Sequence, residues 1–411
     1  MKWSDSPEQA EFRAEVRQFI RNRFPVGYAP ARDVEQSVEP EDVHGYDWVS
    51  DRTGADAHRA ASAREWAGIL AERGWVAPRW PVEFGGAGMS VFDEFILREE
   101  MMRARVPTVN GLGVFLLGPT LLAHGTPEQR SEHLPPTARG DRIWAQGFSE
   151  PEAGSDLAGL RTSAVRDRDH YVVNGQKTWT SHAQHADWLF ALVRTATGEG
   201  RPRHRGISFL LIDARSPGVT IRPITDIRGS RPFAEVFFDD VRVPVANRVG
   251  AENAGWYVAM DTLSFERSGI GASVKLEQIF TELVDCLQAD HEGVYTGAGW
   301  VPGSRAELAR RYADIRVFAN LARNTLSAGA VPGYEASVSQ LFGAELFQRL
   351  ARTGLRALGR HSLLRRGEPE APMGAIYTHL WLDSVAATFL GGTSDIQRTV
   401  IATRGLGLPR G

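Results

Sequence analysis

The stretch that decides the fold is Gly147-Phe148-Ser149-Glu150-Pro151-Glu152-Ala153-Gly154-Ser155-Asp156-Leu157-Ala158-Gly159. After a charged spacer it continues as Tyr171-Val172-Val173-Asn174-Gly175-Gln176-Lys177-Thr178-Trp179-Thr180-Ser181. The first half reads as a strand end followed by a small-residue loop. Gly154 and Ser155 allow a ligand to approach the backbone, and Asp156 can receive or orient polar groups. The second half reads as a hairpin, because Asn174-Gly175 between two β-rich runs suits the positive φ angles of a two-residue turn.

Period two governs the surroundings of this stretch. Asp187 to Thr195, Gly206 to Ala214, Val219 to Ile224 and Ala234 to Val243 are rich in Val, Ile, Phe and Trp, with turn residues between them. A β-domain is therefore expected over 143–249. On its N-terminal side, 1–142 reads as helical. Ser6 and Thr126 each precede a Pro, with a Gln three residues on, which is the pattern of a capped helix start. Helices are expected over Phe92 to Met102 and Val109 to His124, with a polar loop from Gly27 to Ala63 and a helix only from about Arg64. On its C-terminal side, 250–411 reads as helical, interrupted near Gly293 to Gly303.

Composition excludes several function classes. The chain has 411 residues, 42% hydrophobic and 24% charged, with a net charge of −3, which is length for two or three domains and no basic surplus for nucleic acid. Apolar runs such as Ile207 to Ile212 are too short to span a bilayer. No secretory pattern opens the chain, so the cytoplasm is expected. A single cysteine, Cys286, excludes an internal disulfide and a cysteine metal cage.

The two halves of the quoted stretch resemble the flavin-binding core of the acyl-CoA dehydrogenase family, (T/S)EPxAGSD followed by NGxKxWIT. Gly74 to Gly88 is similar to the family's GWxxPxxPxxxGGxG turn. Gly391-Gly392-Thr393-Ser394-Asp395-Ile396-Gln397-Arg398 resembles its C-terminal GT-xx-IQR motif. The resemblance implies an α+β multidomain fold: an N-terminal helical domain, a central β-barrel-like domain and a C-terminal four-helix bundle. It implies FAD, with Phe148 and Ser149 at the isoalloxazine edge, Trp179 against the ring and Ser181 donating near N5. Thr393 would approach from the C-terminal domain. Ser155 would meet the FAD pyrophosphate or the pantetheine arm of the substrate. For Trp179 the ordinary alternative is a buried strand aromatic.

One departure concerns the base. Many relatives carry a Glu where this chain has Gly391, so the α-proton must be taken elsewhere. Isovaleryl-CoA and long-chain acyl-CoA dehydrogenases place the carboxylate in an internal helical Glu-Arg pair, which Glu266-Arg267 matches. Trp256, Ala259, Leu263, Ile270 and Val274 form an apolar stripe at helical spacing, and that helix reads as largely buried. Burial would raise the pKa of Glu266 and suit it to a general base. Arg267, adjacent in sequence, does not face Glu266 and is assigned to the substrate. The Gly391 N–H could polarise the thioester carbonyl. Members of this type often accept branched or steroid side-chain acyl groups.

A second departure concerns assembly. The RxxFG and QxxGG motifs that bind the adenosine half of a neighbour's FAD are not recognisable here. Both a homo-oligomer and a heterotetramer with a second acyl-CoA dehydrogenase-like subunit follow from that. The implied acceptor is an electron-transfer flavoprotein. The competing functions are a flavin oxidase or monooxygenase of the same fold, and a non-catalytic partner subunit.

Overall fold

The computed structural model describes residues 5–28, 47–197, 202–265, 270–290, 304–327 and 334–409. Six helices build the N-terminal part of the described chain: α1 (Pro7–Arg23), α2 (Trp48–Thr53), α3 (Ala57–Ala71), α4 (Val91–Arg103), α5 (Gly118–His124) and α6 (Pro127–Ala138). The capping boxes expected at Ser6 and Thr126 both form. The helix expected from Arg64 begins earlier, at Ala57. Asp56 caps it through the N–H groups of His58 and Arg59, and Asp47 likewise caps α2. The short polar caps and solvent-facing residues here hide a helical pattern whose buried face is Trp48, Ala63, Trp66, Ala67 and Leu70.

The central domain is an eight-stranded mixed sheet: β1 (Trp144–Gly147), β2 (Ser163–Asp167), β3 (His170–Ser181), β4 (Trp188–Arg194), β5 (Ile207–Asp213), β6 (Val219–Ile224), β7 (Phe233–Pro244) and β8 (Arg248–Val249). Its order is β6-β7-β3-β2-β4-β5-β8, with β1 parallel to β4. The continuous apolar runs of β4 and β5 are explained by burial on both faces. Leu189, Ala191, Val193, Leu210 and Ile212 enter one core. Phe190, Leu192, Phe209 and Leu211 enter another, shared with the N-terminal helices.

Two expectations about the deciding stretch are corrected. The charged spacer contains β2, and Asn174-Gly175 is not a hairpin turn. β3 runs through it unbroken, and the turn falls at Arg168-Asp169. Gly175 instead sits at a register shift opposite β7. Its φ is +145°, and a Cβ there would lie 2.7 Å from the Thr162 Cα, so the position needs glycine. Asn174 braces the same bulge by exchanging hydrogen bonds with Asp240, at 2.8 and 2.9 Å.

The remaining helices are α7 (Gly255–Phe265), α8 (Ile270–Ala289), α9 (Ser304–Ser327), α10 (Tyr334–Ala357), α11 (Ile376–Ala386) and α12 (Ser394–Val400). α8 to α11 share a third core that includes Ile279, Leu283, Ile315, Phe318, Leu346, Leu350 and Leu380. α7 packs Val258, Ala259 and Thr262 inward but leaves Tyr257 and Asp261 exposed, so its burial is one-sided rather than general. The expected interruption at Gly293 to Gly303 lies outside the described residues.

Candidate functional site

β1 delivers the chain to Phe148 and Ser149, and β3 runs beside it. The Thr178 N–H donates to the Ser149 carbonyl at 3.0 Å, which ties the first half of the deciding stretch to the second. Glu150 then turns sharply, its N–H and carbonyl paired with those of Ala153 at 3.0 Å each. Beneath this turn lies a buried ion pair. Lys177 Nζ is 2.7 Å from Glu150 Oε1 and donates to the Phe148 carbonyl at 3.2 Å. Glu150 also accepts from the N–H groups of Arg161, at 2.6 Å, and Thr162, at 2.9 Å. Lys177 is 0% exposed.

Burial pushes the Lys177 ammonium down to about 8, against the opposing pull of Glu150. Burial would raise the Glu150 carboxyl, but Lys177 and the two N–H donors outweigh it and hold it below its ordinary value. Both groups are charged near neutral pH. This pair was not singled out from the sequence. The signal available was a lone strand lysine in a chain that otherwise uses Arg almost throughout.

Two residues beyond Lys177 the strand breaks register with β7, between Lys177 and Thr180. Trp179 sits in that break with φ +57°, a conformation disfavoured for a bulky residue. The break turns its ring outward: Trp179 is 58% exposed and meets Phe233 edge-on at 5.9 Å. The buried-aromatic alternative for Trp179 does not hold.

The other expected residues take varied positions. Ser149 and Ser181 are half-buried near Trp179, and Ser155 is exposed on the loop. The Phe148 ring is buried against Phe190 and Phe209, so this residue has mainly its backbone to offer a ligand. Thr393 caps α12, its hydroxyl accepting from the Ile396 N–H at 3.2 Å. Gly391 is exposed with φ +66°, and Gln397 Nε2 donates to its carbonyl at 2.7 Å. Arg228, on the β6–β7 turn, ties α11 to the β-domain by pairing with Asp383 at 2.9 Å. Glu266 and Arg267 lie outside the described residues.

With this geometry in hand the class of protein is clear. The chain belongs to the acyl-CoA dehydrogenase family. Models of that family's N-terminal, middle and C-terminal domains match residues 49–141, 145–241 and 253–406. It is an acyl-CoA dehydrogenase, an oxidoreductase of a family whose members are generally flavoproteins.

Among its relatives is the acyl-CoA dehydrogenase IpdE1 of Mycobacterium tuberculosis. It is 40% identical over 352 residues, 84% of this chain and 88% of that one. The acyl-CoA dehydrogenase FadE26 of the same organism is 35% identical over 100% of this chain and 99% of its own. Among solved structures, the Tcur3481-Tcur3483 steroid ACAD superposes with a TM-score of 0.83 at 30% identity, covering 100% of both chains. The ChsE4-ChsE5 complex from Mycobacterium tuberculosis gives 0.79 at 33% identity, again over 100% of both. The α+β fold implied by the motifs is thus the fold observed. Among the described residues no helix is long and apolar enough to cross a membrane, and no cluster of His, Cys, Asp and Glu could hold a metal.

Proposed function

We propose that this enzyme uses FAD to convert a bulky acyl-CoA thioester, of the branched or steroid side-chain kind, into its trans-2-enoyl-CoA. The observation that carries the reading is Trp179. A large aromatic ring held 58% exposed in a disfavoured conformation, between two half-buried serines, is a platform for a planar ligand. The residues fit a flavin: Trp179 to cover the ring, Ser149 and Ser181 to donate to its polar edge, Ser155 to meet a phosphate or the pantetheine arm, and Thr393, whose hydroxyl can still donate. The backbone of Phe148 would complete the edge. When bound, FAD supplies the acceptor for the β-hydrogen as hydride.

The chain's own contribution is proton transfer and polarisation. Glu266 takes the α-proton, and the Gly391 N–H, held in an exposed turn, polarises the thioester carbonyl. Arg267 is assigned to the substrate. At Gly391 a Cβ would have its nearest neighbour, Gln340 Nε2, at 3.5 Å, so the turn is not crowded. That room, together with the likeness to the Tcur3481-Tcur3483 steroid ACAD, supports a bulky acyl group.

We further propose assembly with a second acyl-CoA dehydrogenase-like subunit. The missing adenosine-binding motifs support this, as do two-component neighbours such as ChsE4-ChsE5. An electron-transfer flavoprotein is the proposed acceptor. The test is Glu266→Gln. Turnover with acyl-CoA should fall by a factor of about 100 or more, with bound flavin unchanged. Unchanged turnover overturns the assignment of the base. A flavin band in the chain purified alone overturns the need for a partner.

A further inference from the structure

An open cleft of about 550 Å³ lies where α2 and α3 meet the β-domain, in the segment that follows Ser181. None of its lining belongs to the flavin or acyl-CoA site proposed above. One wall carries Arg52, Thr53 and Arg64. The other carries His185, Asp187 and Arg215. The walls are joined by Thr53 Oγ1 and His185 Nδ1, 2.6 Å apart.

Three guanidinium groups therefore face one carboxylate, and that carboxylate is already engaged. Asp187 accepts from the Ile143 N–H at 2.9 Å and from Arg215 at 2.7 Å. Among the described residues neither Arg52 nor Arg64 has a carboxylate partner. Arg52 donates to the Asp141 carbonyl at 3.2 Å, and Arg64 to the Arg52 carbonyl at 3.4 Å. Arg52 is further fixed over the Trp48 ring, 5.6 Å from its centroid. Burial and the neighbouring Arg64 lower its pKa, against the pull of the Asp187 and Asp141 carboxylates. His185 is likewise held toward its neutral form by burial.

We propose that this cleft binds a compact polyanion, a diphosphate or a small polycarboxylate, as a site separate from the catalytic one. Guanidinium forks match such oxyanions in bidentate geometry. A concave site in which three cations outnumber one carboxylate carries a net positive field that favours an anion. The volume is in the range of small-molecule sites rather than of flat protein interfaces. Because the walls come from two domains, the ligand would bridge the seam between them.

The test is calorimetric titration of the full-length protein with inorganic pyrophosphate and, separately, with citrate, at constant ionic strength. Saturable binding near one per chain is expected. It should weaken about tenfold or more in Arg52→Gln/Arg64→Gln, the loss expected for one or two charged hydrogen bonds, and stay unchanged in Arg21→Gln, on the exposed face of α1. Binding of pyrophosphate alone assigns phosphate chemistry, and binding of citrate alone assigns carboxylate chemistry. Should the double variant fail to fold, Arg215→Gln changes an exposed side chain in the same cleft and should weaken binding in the same direction. No saturable binding of either anion overturns the proposal, as does equal binding by the folded variants.

Discussion

Replacing Lys177 by Met tests whether the buried ion pair holds the site together. The substitution leaves the Glu150 carboxylate buried with two N–H donors, from Arg161 and Thr162, but without its cation, and leaves the Phe148 carbonyl without the ammonium. Removing one partner of a buried pair destabilises by about 3–5 kcal/mol. Burial already pulls the Lys177 ammonium down to about 8 against the pull of Glu150, so each group of the pair depends on the other for compensation. The pair is therefore costly to break from either side. Lys177→Met should lose about 3 kcal/mol or more, whereas Glu150→Gln/Lys177→Met should recover at least ~1.5 kcal/mol of that as coupling. Urea titration of tryptophan fluorescence measures both. Flavin retention should follow the single variant's loss, because Ser149 and Trp179 are braced from the same pair. A single variant that loses less than about 1 kcal/mol, or a double variant that is simply additive, refutes the reasoning.

Trp179→Ala should change stability by less than about 1 kcal/mol, since the ring is mostly exposed, while bound flavin measured at 450 nm falls sharply. Gly391→Ala should destabilise by about 1–2 kcal/mol, because φ +66° penalises a Cβ, with a drop in turnover; a melting curve and a steady-state assay check the two. Acid should unfold the protein through His133, which burial holds at about 4 among Trp144, Trp188 and Arg142. The unfolded chain takes up this proton near 6.5 and the native state only near 4. The contribution is therefore fully present above pH 6.5 and is lost as pH falls toward 4, by up to about 3 kcal/mol. Unfolding free energy measured across that window should slope less steeply in His133→Phe.

Much of the architecture was legible in the residues because it rests on local chemistry. Ser6 and Thr126 cap helices by side-chain reach alone, and the β4 to β7 runs carry their strand character in their own composition. α2 and α3 were not legible. Their helices start at Asp47 and Asp56, and their apolar residues acquire a common face only once Trp48 and Trp66 have a core to enter. Asn174-Gly175 misled for the opposite reason. Its local preference is for a turn, but β7 pairs along both sides of it, and the dipeptide is absorbed as a bulge.

The sequence by itself determined which family the chain belongs to and which residues bear the motifs, since these depend on residue type and spacing. Only the tertiary structure decided what those residues do. Trp179 faces outward because β3 and β7 slip register across it. Lys177 becomes a buried brace because Glu150, a strand away, is folded back over it. Arg52, Arg64 and Arg215 share one cleft because two domains meet there. Register, burial and the meeting of distant segments are properties of pairs of elements, and no single stretch of chain contains them.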